Sequence, residues 1–591
     1  MIMKAIVFVL IVWAVCGLGA ETIVPAGPVQ GSWDQSGNPY RITGNLSIAL
    51  GSSLVVSEGV EVIFNGTFRI DVAGRILATG TALAPVTFTA QDTLNGWSGI
   101  RFLNSGSIQN FPSGFTHTQF SYGKAIWGTG GADPLNYGGA VWASAAGLLT
   151  FTNCTFLRCK SAQDGSAIYA KDGTNIQMTG CTIKSCESGF FGGVFVKQGN
   201  ANIIDCSFET NSAVTFGAAI YLYECPQANV ISCRVLDNVA GAVAGIYCFD
   251  SPLKVINSLF ASNSTTMGQG GGMGVIYGTL TVTSCSFANN GSALGGGAFW
   301  LNSLDSDAQI TNCIFWNNLP TPISTTSCSY ILSYCSTQSQ EGDATNIFGD
   351  PQFVSAAEGD FRLTASSGCI DAGTPETTGL LLPDLDLSGL DRVVDGNGDG
   401  TPRIDIGCYE WQEPVQIGVL QGIVLDQSAV PVTGASVTVA DQTVSTDADG
   451  AFDFYLSPGT YSLSVSAVGF EDFTLDNIQI QAGQTTTVSI ELTLIVSSDD
   501  ELAPQLPGLT ASPNPFSAST VLRWTLKQPR MLEIFNLRGQ LLTSCRLDAG
   551  NQNSWTWNGL DRHGRKLPSG IYFGRVSGKN ASQTIKLLLR N

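Results

Sequence analysis

The chain has 591 residues, room for three to five domains, with 68 Gly, only 13% charged residues and a formal net charge of −19. That balance excludes a general nucleic-acid binder. The 43% hydrophobic content excludes a largely disordered chain, and glycine without a three-residue period excludes collagen. Two histidines, His117 and His563, leave neither a His-cluster metal site nor an obvious Ser–His–Asp set.

Residues 1–20 have the layout of a cleaved secretory signal peptide: Lys4, an apolar run from Ala5 to Val15, then small residues ending at Ala20. No later stretch is long and apolar enough to span a bilayer, so no transmembrane segment is expected after signal removal. Residues 21–37 read as a polar opening strand that blunts the end of a sheet, and residues 39–90 as alternating strands punctuated by Gly.

From about residue 138 the chain repeats every 25–28 residues. One column holds Cys154, Cys181, Cys206, Cys233, Ser258, Cys285 and Cys313, and two residues on lie Phe156, Ile183, Phe208, Val235, Phe260, Phe287 and Phe315. Five residues past the first column come Cys159, Cys186, Asn211, Asn238, Asn263, Asn290 and Asn318. Short β-favouring runs separated by Gly and Asn turns do not suit helix-pair repeats. They suit coils of a right-handed parallel β-helix over residues 21–344, with Cys and the apolar partner on the inner face. The Cys and Asn columns are then structural ladders, the amides bonding from coil to coil at each bend. Cys159 and Cys186, in adjacent coils, could form a disulfide. A second track carries Trp142, Tyr169, Tyr221, Tyr247 and Trp300, whose Ala/Gly-x-aromatic phase fits an interior or a turn.

The stretch from Ser53 to Phe102 resembles the opening of bacterial secreted right-handed β-helix proteins. Gly349-Asp-Pro-Gln-Phe353, Gly359-Asp-Phe-Arg-Leu363, Cys369-Ile-Asp-Ala-Gly373 and Asp405-Ile-Gly-Cys-Tyr-Glu410 are similar to their closing module, often called a choice-of-anchor domain, over residues 345–412. Within it Asp395, Asn397, Asp399 and Asp405 are candidate ligands of a structural Ca²⁺, with Asp384 and Asp386 in support; a plain acidic turn is the alternative. Cys369 and Cys408 could pair. Carboxylates between 140 and 320, Asp164 and Asp172 among them, fall in no common column, so no catalytic residue is assigned.

Residues 415–496 alternate as a small β-sandwich, with Asp447-Ala-Asp-Gly450 at a turn and Pro458-Gly-Thr-Tyr461 before a strand. They resemble the carboxypeptidase regulatory-like domain. After a linker at 497–504, residues 505–591 hold 12 Lys+Arg and 3 Asp+Glu, a net of +9 against −28 for the remainder. Ser512-Pro-Asn-Pro-Phe516, Asn536-Leu-Arg-Gly-Gln540, Gly570-Ile-Tyr572 and the basic end are similar to the type A C-terminal sorting domain of type IX secretion.

The fold class expected is therefore all-β: a parallel β-helix followed by two small β-sandwich domains. The resemblances imply export through the type IX machinery to the exterior of a Gram-negative cell. With no catalytic column and a long solenoid presenting a broad face, the function expected is a non-enzymatic adhesin-like or glycan-contacting scaffold whose partner is a polysaccharide or another surface protein. A divergent polysaccharide lyase or glycosidase and a structural surface-layer component are the alternatives.

Overall fold

The computed structural model describes residues 21–103, 112–128, 134–413, 417–495, 509–524, 529–537, 539–547, 554–578 and 582–590; the signal-peptide reading of 1–20 and the linker at 497–504 lie outside them. Two compact units divide the chain, one ending at residue 414 and the other starting at 415.

In the first unit each coil gives one strand to each of three parallel sheets, of 14, 12 and 12 strands among the described residues. One coil runs Ile168–Lys171 in the second sheet, Asn175–Thr179 in the third and Thr182–Lys184 in the first. Glu187–Ser188 then joins a short fourth sheet that starts at Lys124–Ala125 and ends at Ser264–Thr265. Alternation within each strand puts one face inward. The apolar column Phe156, Ile183, Phe208, Val235, Phe260, Phe287 and Phe315 is paired residue for residue through successive coils. Its members are buried, and Phe120–Phe156 and Phe260–Phe287 stack at 4.8 and 4.7 Å, the spacing of neighbouring strands. At the bend between the first and fourth sheets a non-glycine residue takes a left-handed conformation in coil after coil: Tyr122, Arg158, Ser185, Thr210 and Asp237 have φ of 59°, 53°, 53°, 53° and 54°. Such backbone is uncommon outside glycine, and its recurrence marks a bend set by the whole stack.

Two expectations need correction. Residues 21–37 are a first full coil rather than a capping strand: Thr22–Val24, Gly27–Pro28 and Gly31–Trp33 each pair in parallel with the coil above. Residues 345–412 do not simply close the far end. After Ile347–Phe348 completes the first sheet and Phe353–Ser355 pairs with Asp360–Leu363, the segment doubles back as a strap over the outer face of the first sheet. Phe361, Leu387, Cys408 and Tyr409 pack on Leu259, Ala261 and Ala288, while Leu363, Cys369 and Ile406 pack on Ile314. Hydrogen bonds pin it: Arg234 Nη2 donates to Leu387 O at 2.5 Å, Cys408 N to Ser286 Oγ at 3.2 Å and Gly407 N to Asn312 O at 2.8 Å.

In the second unit, strands between Gly418 and Leu492 form sheets of three and four around Leu420, Val437, Phe454, Leu463 and Ile490. Strands from Thr510 to Leu589 form another three-plus-four arrangement around Leu522, Trp524, Ile534, Trp557 and Tyr572.

Candidate functional site

The polar columns inside the solenoid are consumed by structure. Cys154, Cys181 and Cys206 each donate a backbone N–H to the sulfur one coil on, at 3.4 Å, and Cys233 donates to Ser258 Oγ at 3.0 Å. Ser258 N in turn donates to Cys285 Sγ at 3.4 Å, and Cys313 N to Cys335 Sγ at 3.5 Å. Each small polarisable side chain thus satisfies the backbone donor that the bend leaves unpaired. Cys335 extends the ladder beyond the columns aligned from the sequence. The Asn ladder is tighter. Asn211, Asn238, Asn263 and Asn290 each donate from backbone N and from Nδ2 to the Oδ1 of the next Asn, ending on Asn318, at 2.9–3.2 Å. Each Nδ2 also donates to a core-strand carbonyl, as Asn263 does to Val235 at 2.7 Å. Cys159 and Cys186 stand in this column as free thiols that donate to Phe120 O and Phe156 O. Burial pushes the thiols of Cys154, Cys186 and Cys313 well above the ordinary range, which keeps them protonated and unreactive.

The second-track aromatics do not enter the main core. In strand Ile168–Lys171 the inward residues are Ile168 and Ala170, and Tyr169 points to the outer face. There Trp142, Tyr169, Phe195, Tyr221 and Tyr247 form a separate stack, with neighbouring rings from Tyr169 through Tyr247 4.8–4.9 Å apart. Phe191 and Phe216, from the loops that precede their strands, lie across it, so Tyr221 keeps only 6% of its exposure. Trp300 is only partly buried at its edge.

In the strap the candidate Ca²⁺ ligands separate into two groups. Asp395 accepts from Asp399 N at 3.0 Å and Gly400 N at 2.8 Å, Asn397 Oδ1 from Asp399 N and Asp399 Oδ1 from Thr401 N, both at 2.8 Å. The loop's oxygens therefore turn onto its own backbone. Asp405 is buried, and its carboxylate accepts from Asp371 N at 2.8 Å and Trp411 N at 2.6 Å. Asp386 accepts from Ser388, Leu390 and Glu410 N–H groups, and Asp384 lines a cavity of about 480 Å³ with Leu381 and Val393. Among the described residues no three His, Cys, Asp or Glu side chains converge as a metal would need. The bridge between the groups is Asp371, which takes Asn397 N on Oδ2 at 2.7 Å and holds Oδ1 buried without a partner.

Asp371, Asp386, Asp405 and Glu410 are all buried here, against one buried cation, Arg392. Arg392 Nη1 meets Glu410 Oε1 at 2.6 Å and Nη2 donates to Asn257 Oδ1 at the bend between the third and first sheets. Burial pushes Asp405 up to about 7, and pushes Glu410 up to about 9 against the pull of Arg392. Cys369 and Cys408 are free thiols in different apolar clusters of the strap.

Of the acids considered for chemistry, Asp164 stands out. Burial raises its carboxyl to about 7, and its charge adds to burial in raising the phenols of Tyr137 and Tyr169, whose rings lie 4.8 Å apart. Sequence reasoning named Asp164 without its partners, because Tyr137 lies one coil away in a loop with no periodic signal. His117 accepts from Asn153 Nδ2 at 3.2 Å at the bend between the third and first sheets.

The terminal motifs also do structural work. Asp447 Oδ1 accepts from Asp449 and Ala451 N–H at 2.9 and 2.8 Å, closing the turn before the strand of Phe452 and Phe454. Asn514 brackets the final strand, donating to Lys586 O at 2.7 Å and accepting from Leu588 N at 2.8 Å. Asn536 and Gln540 lock the hairpin between Pro529–Asn536 and Leu541–Arg546.

Residues 138–315 match the family model described as a right handed beta helix region, and residues 419–493 match that of the carboxypeptidase regulatory-like domain. The chain therefore carries a right-handed parallel β-helix and a carboxypeptidase regulatory-like domain. No curated protein matches it. Among solved structures it is similar to the Bacillus anthracis TIE protein, at 15% identity and TM-score 0.13 over 32% of this chain. It is also similar to a streptococcal ancillary pilin, at 11% identity and TM-score 0.15 over 32% of this chain. A third is a DUF3823 family protein from Parabacteroides merdae ATCC 43184, at 13% identity and TM-score 0.13 over 30% of this chain and 100% of that one. The chain spans 33% of the length of the first and 66% of the second.

Proposed function

We propose that this protein is an exported surface or released scaffold whose β-helix contacts glycans without transforming them, carried across an outer membrane by the type IX pathway through its terminal sandwich. The observation that carries the reading is the division of labour within each coil. Polar side chains at the inner bends are used up in ladders, while the unstrapped outer faces present Thr, Ser, Lys and Glu in register, as in Thr155, Thr182 and Ser207 or Lys184 and Glu209. Repeated polar rows at the strand spacing suit an extended polymer better than a small metabolite. The sorting assignment rests on the resemblance of residues 505–591. A structural Ca²⁺ at Asp395, Asn397 and Asp399 is kept as part of the proposal; it requires these oxygens to turn from the loop's own N–H groups toward the ion, and the unpartnered oxygen of Asp371 beside the loop is its support. It predicts a higher melting point with Ca²⁺ than with chelator, abolished in Asp395→Ala.

The test is incubation of the full-length protein with acidic and neutral polysaccharides, following retention and new reducing or unsaturated ends together. Retention without new ends is expected. New ends would favour the second reading, a divergent lyase or glycosidase, for which Asp164 beside Tyr137 and Tyr169 is the specific observation; Asp164→Asn would then abolish them.

A further inference from the structure

At the bend between the first and fourth sheets, three cations meet around a pocket of about 330 Å³ lined by Thr93, Tyr122, Lys124, Arg158, Lys160 and Ser185, with Cys159 and Glu187 completing the wall. The fold places them. Tyr122, Arg158 and Ser185 occupy the left-handed bend position of three successive coils, while Lys124, Lys160 and Glu187 pair in register two residues later. Within the pocket wall Lys160 already meets Glu187 of the next coil at 2.7 Å, and outside it Lys184 meets Glu209 at 2.7 Å, the usual arrangement of opposite charges on neighbouring coils. Here Lys124 faces Lys160 directly, an arrangement that costs stability on a sheet, in a chain whose net charge is −19. Arg158 is exposed and enters no ion pair among the described residues. Its guanidinium lies 5.9 Å from the centre of the Tyr122 ring and Nη1 donates to Tyr122 Oη at 3.0 Å. Lys124 Nζ is held by Leu94 O at 2.5 Å, and its charge helps hold the Asp92 carboxyl below the usual range.

From this juxtaposition, and resting on the glycan-contacting reading above, we infer that the pocket binds an acidic sugar unit of a polysaccharide, its carboxylate or sulfate taken by Arg158 between Lys124 and Lys160. The planar guanidinium fork suits a two-oxygen anion, and Tyr122 already holds it so that less order is lost on binding. Thr93 and Ser185 offer hydroxyls to sugar hydroxyls. The volume is at the low end for a ligand site and suits one sugar ring of a chain that continues along the polar rows.

The experiment uses the full-length protein in affinity electrophoresis against sodium polygalacturonate, dextran sulfate and dextran, with Arg158→Gln, Lys124→Gln and, as control, Lys184→Gln. Lys184 carries the same charge one coil on but lies outside the lining. Expected is retention by polygalacturonate, dextran sulfate or both but not by dextran, the two acidic arms telling carboxylate from sulfate. Arg158→Gln should weaken it about tenfold and Lys124→Gln several-fold at unchanged melting point, with Lys184→Gln near wild type. Equal retention of dextran and dextran sulfate, or an Arg158→Gln protein that binds as wild type, would overturn the pocket assignment and leave the glycan reading standing. Loss of all retention on every glycan would remove both. Binding of phosphatidylglycerol vesicles with the same Arg158 dependence would replace the sugar by a lipid surface and overturn the inference.

Discussion

At the scale of single residues, the solenoid is held at its bends by side chains that do the work of backbone. Asn263 is fully buried and makes four side-chain hydrogen bonds, two given through Nδ2 and two accepted on Oδ1. Asn263→Ala takes these partners from buried groups of both neighbouring coils and should cost about 3 kcal/mol, read as a shift of the denaturant midpoint. Cys206→Ser should cost less than about 1 kcal/mol by the same measurement, since Ser258 already fills that column with an Oγ at 3.0 Å from Cys233 N. The ladders were legible in the sequence because one stacking contact repeats in every coil, so identity at a fixed spacing reports the contact itself. Cys335 escaped notice because the last coils shorten to 22 residues between Cys313 and Cys335.

At the scale of elements, the strap is the part that sequence did not disclose. Its partners lie far off in the chain, 122 residues from Cys408 to Ser286 and 153 from Arg234 to Leu387, and no periodicity links them. A trace exists all the same. Leu259-Phe260-Ala261 and Ser286-Phe287-Ala288 are buried on both faces, whereas Thr182-Ile183-Lys184 keeps the alternation of a strand with one wet face. The Ca²⁺ motif was legible as a loop, but the inward turn of Asp405 depends on Asp371 and Trp411 and could not be read from spacing. Arg392→Met would leave Glu410 Oε1 and Asn257 Oδ1 buried without their donor. It should destabilise the strap by about 2–4 kcal/mol and speed amide exchange in residues 384–410 while leaving residues 175–209 unchanged. Acidity acts on the same element. Asp405 titrates near 7 when folded and near 3.8 when unfolded, so between those values the unfolded chain releases a proton that the strap retains. Stability from this group is therefore full below about pH 4 and falls as pH rises to about 7, by an amount on the order of a few kcal/mol, with Glu410 extending the fall toward 9. Melting curves across pH 4–8 should slope downward, and Asp405→Asn should flatten the slope.

At the scale of the molecule, the coils of the β-helix contact chiefly their neighbours, as solenoids do, whereas the strap contacts strands from coils at Arg234 through Ile314 at once. The order of modules was legible because each carries its own turn chemistry, and the Gly, Asp and Asn turns of the two sandwiches sit where the motifs placed them. The pocket at Lys124, Arg158 and Lys160 was not, since these residues are scattered in sequence and meet only because a coil advances by one strand spacing.

The strap also makes part of the solenoid a measured length. Duplicating the coil 176–200, where each residue already matches its successor, inserts one more rung into a stretch bounded only by other rungs, and the protein should fold and melt near wild type. Duplicating 259–285 moves Ser286 and Asn312 one rung away from Arg234 and Asn257 while the strap keeps its span, so its anchors cannot all be met and the melting point should drop. Lineages of such a protein can thus grow or shrink on the side of the first coils, while the strapped side is gauged by a ruler built from its own tail.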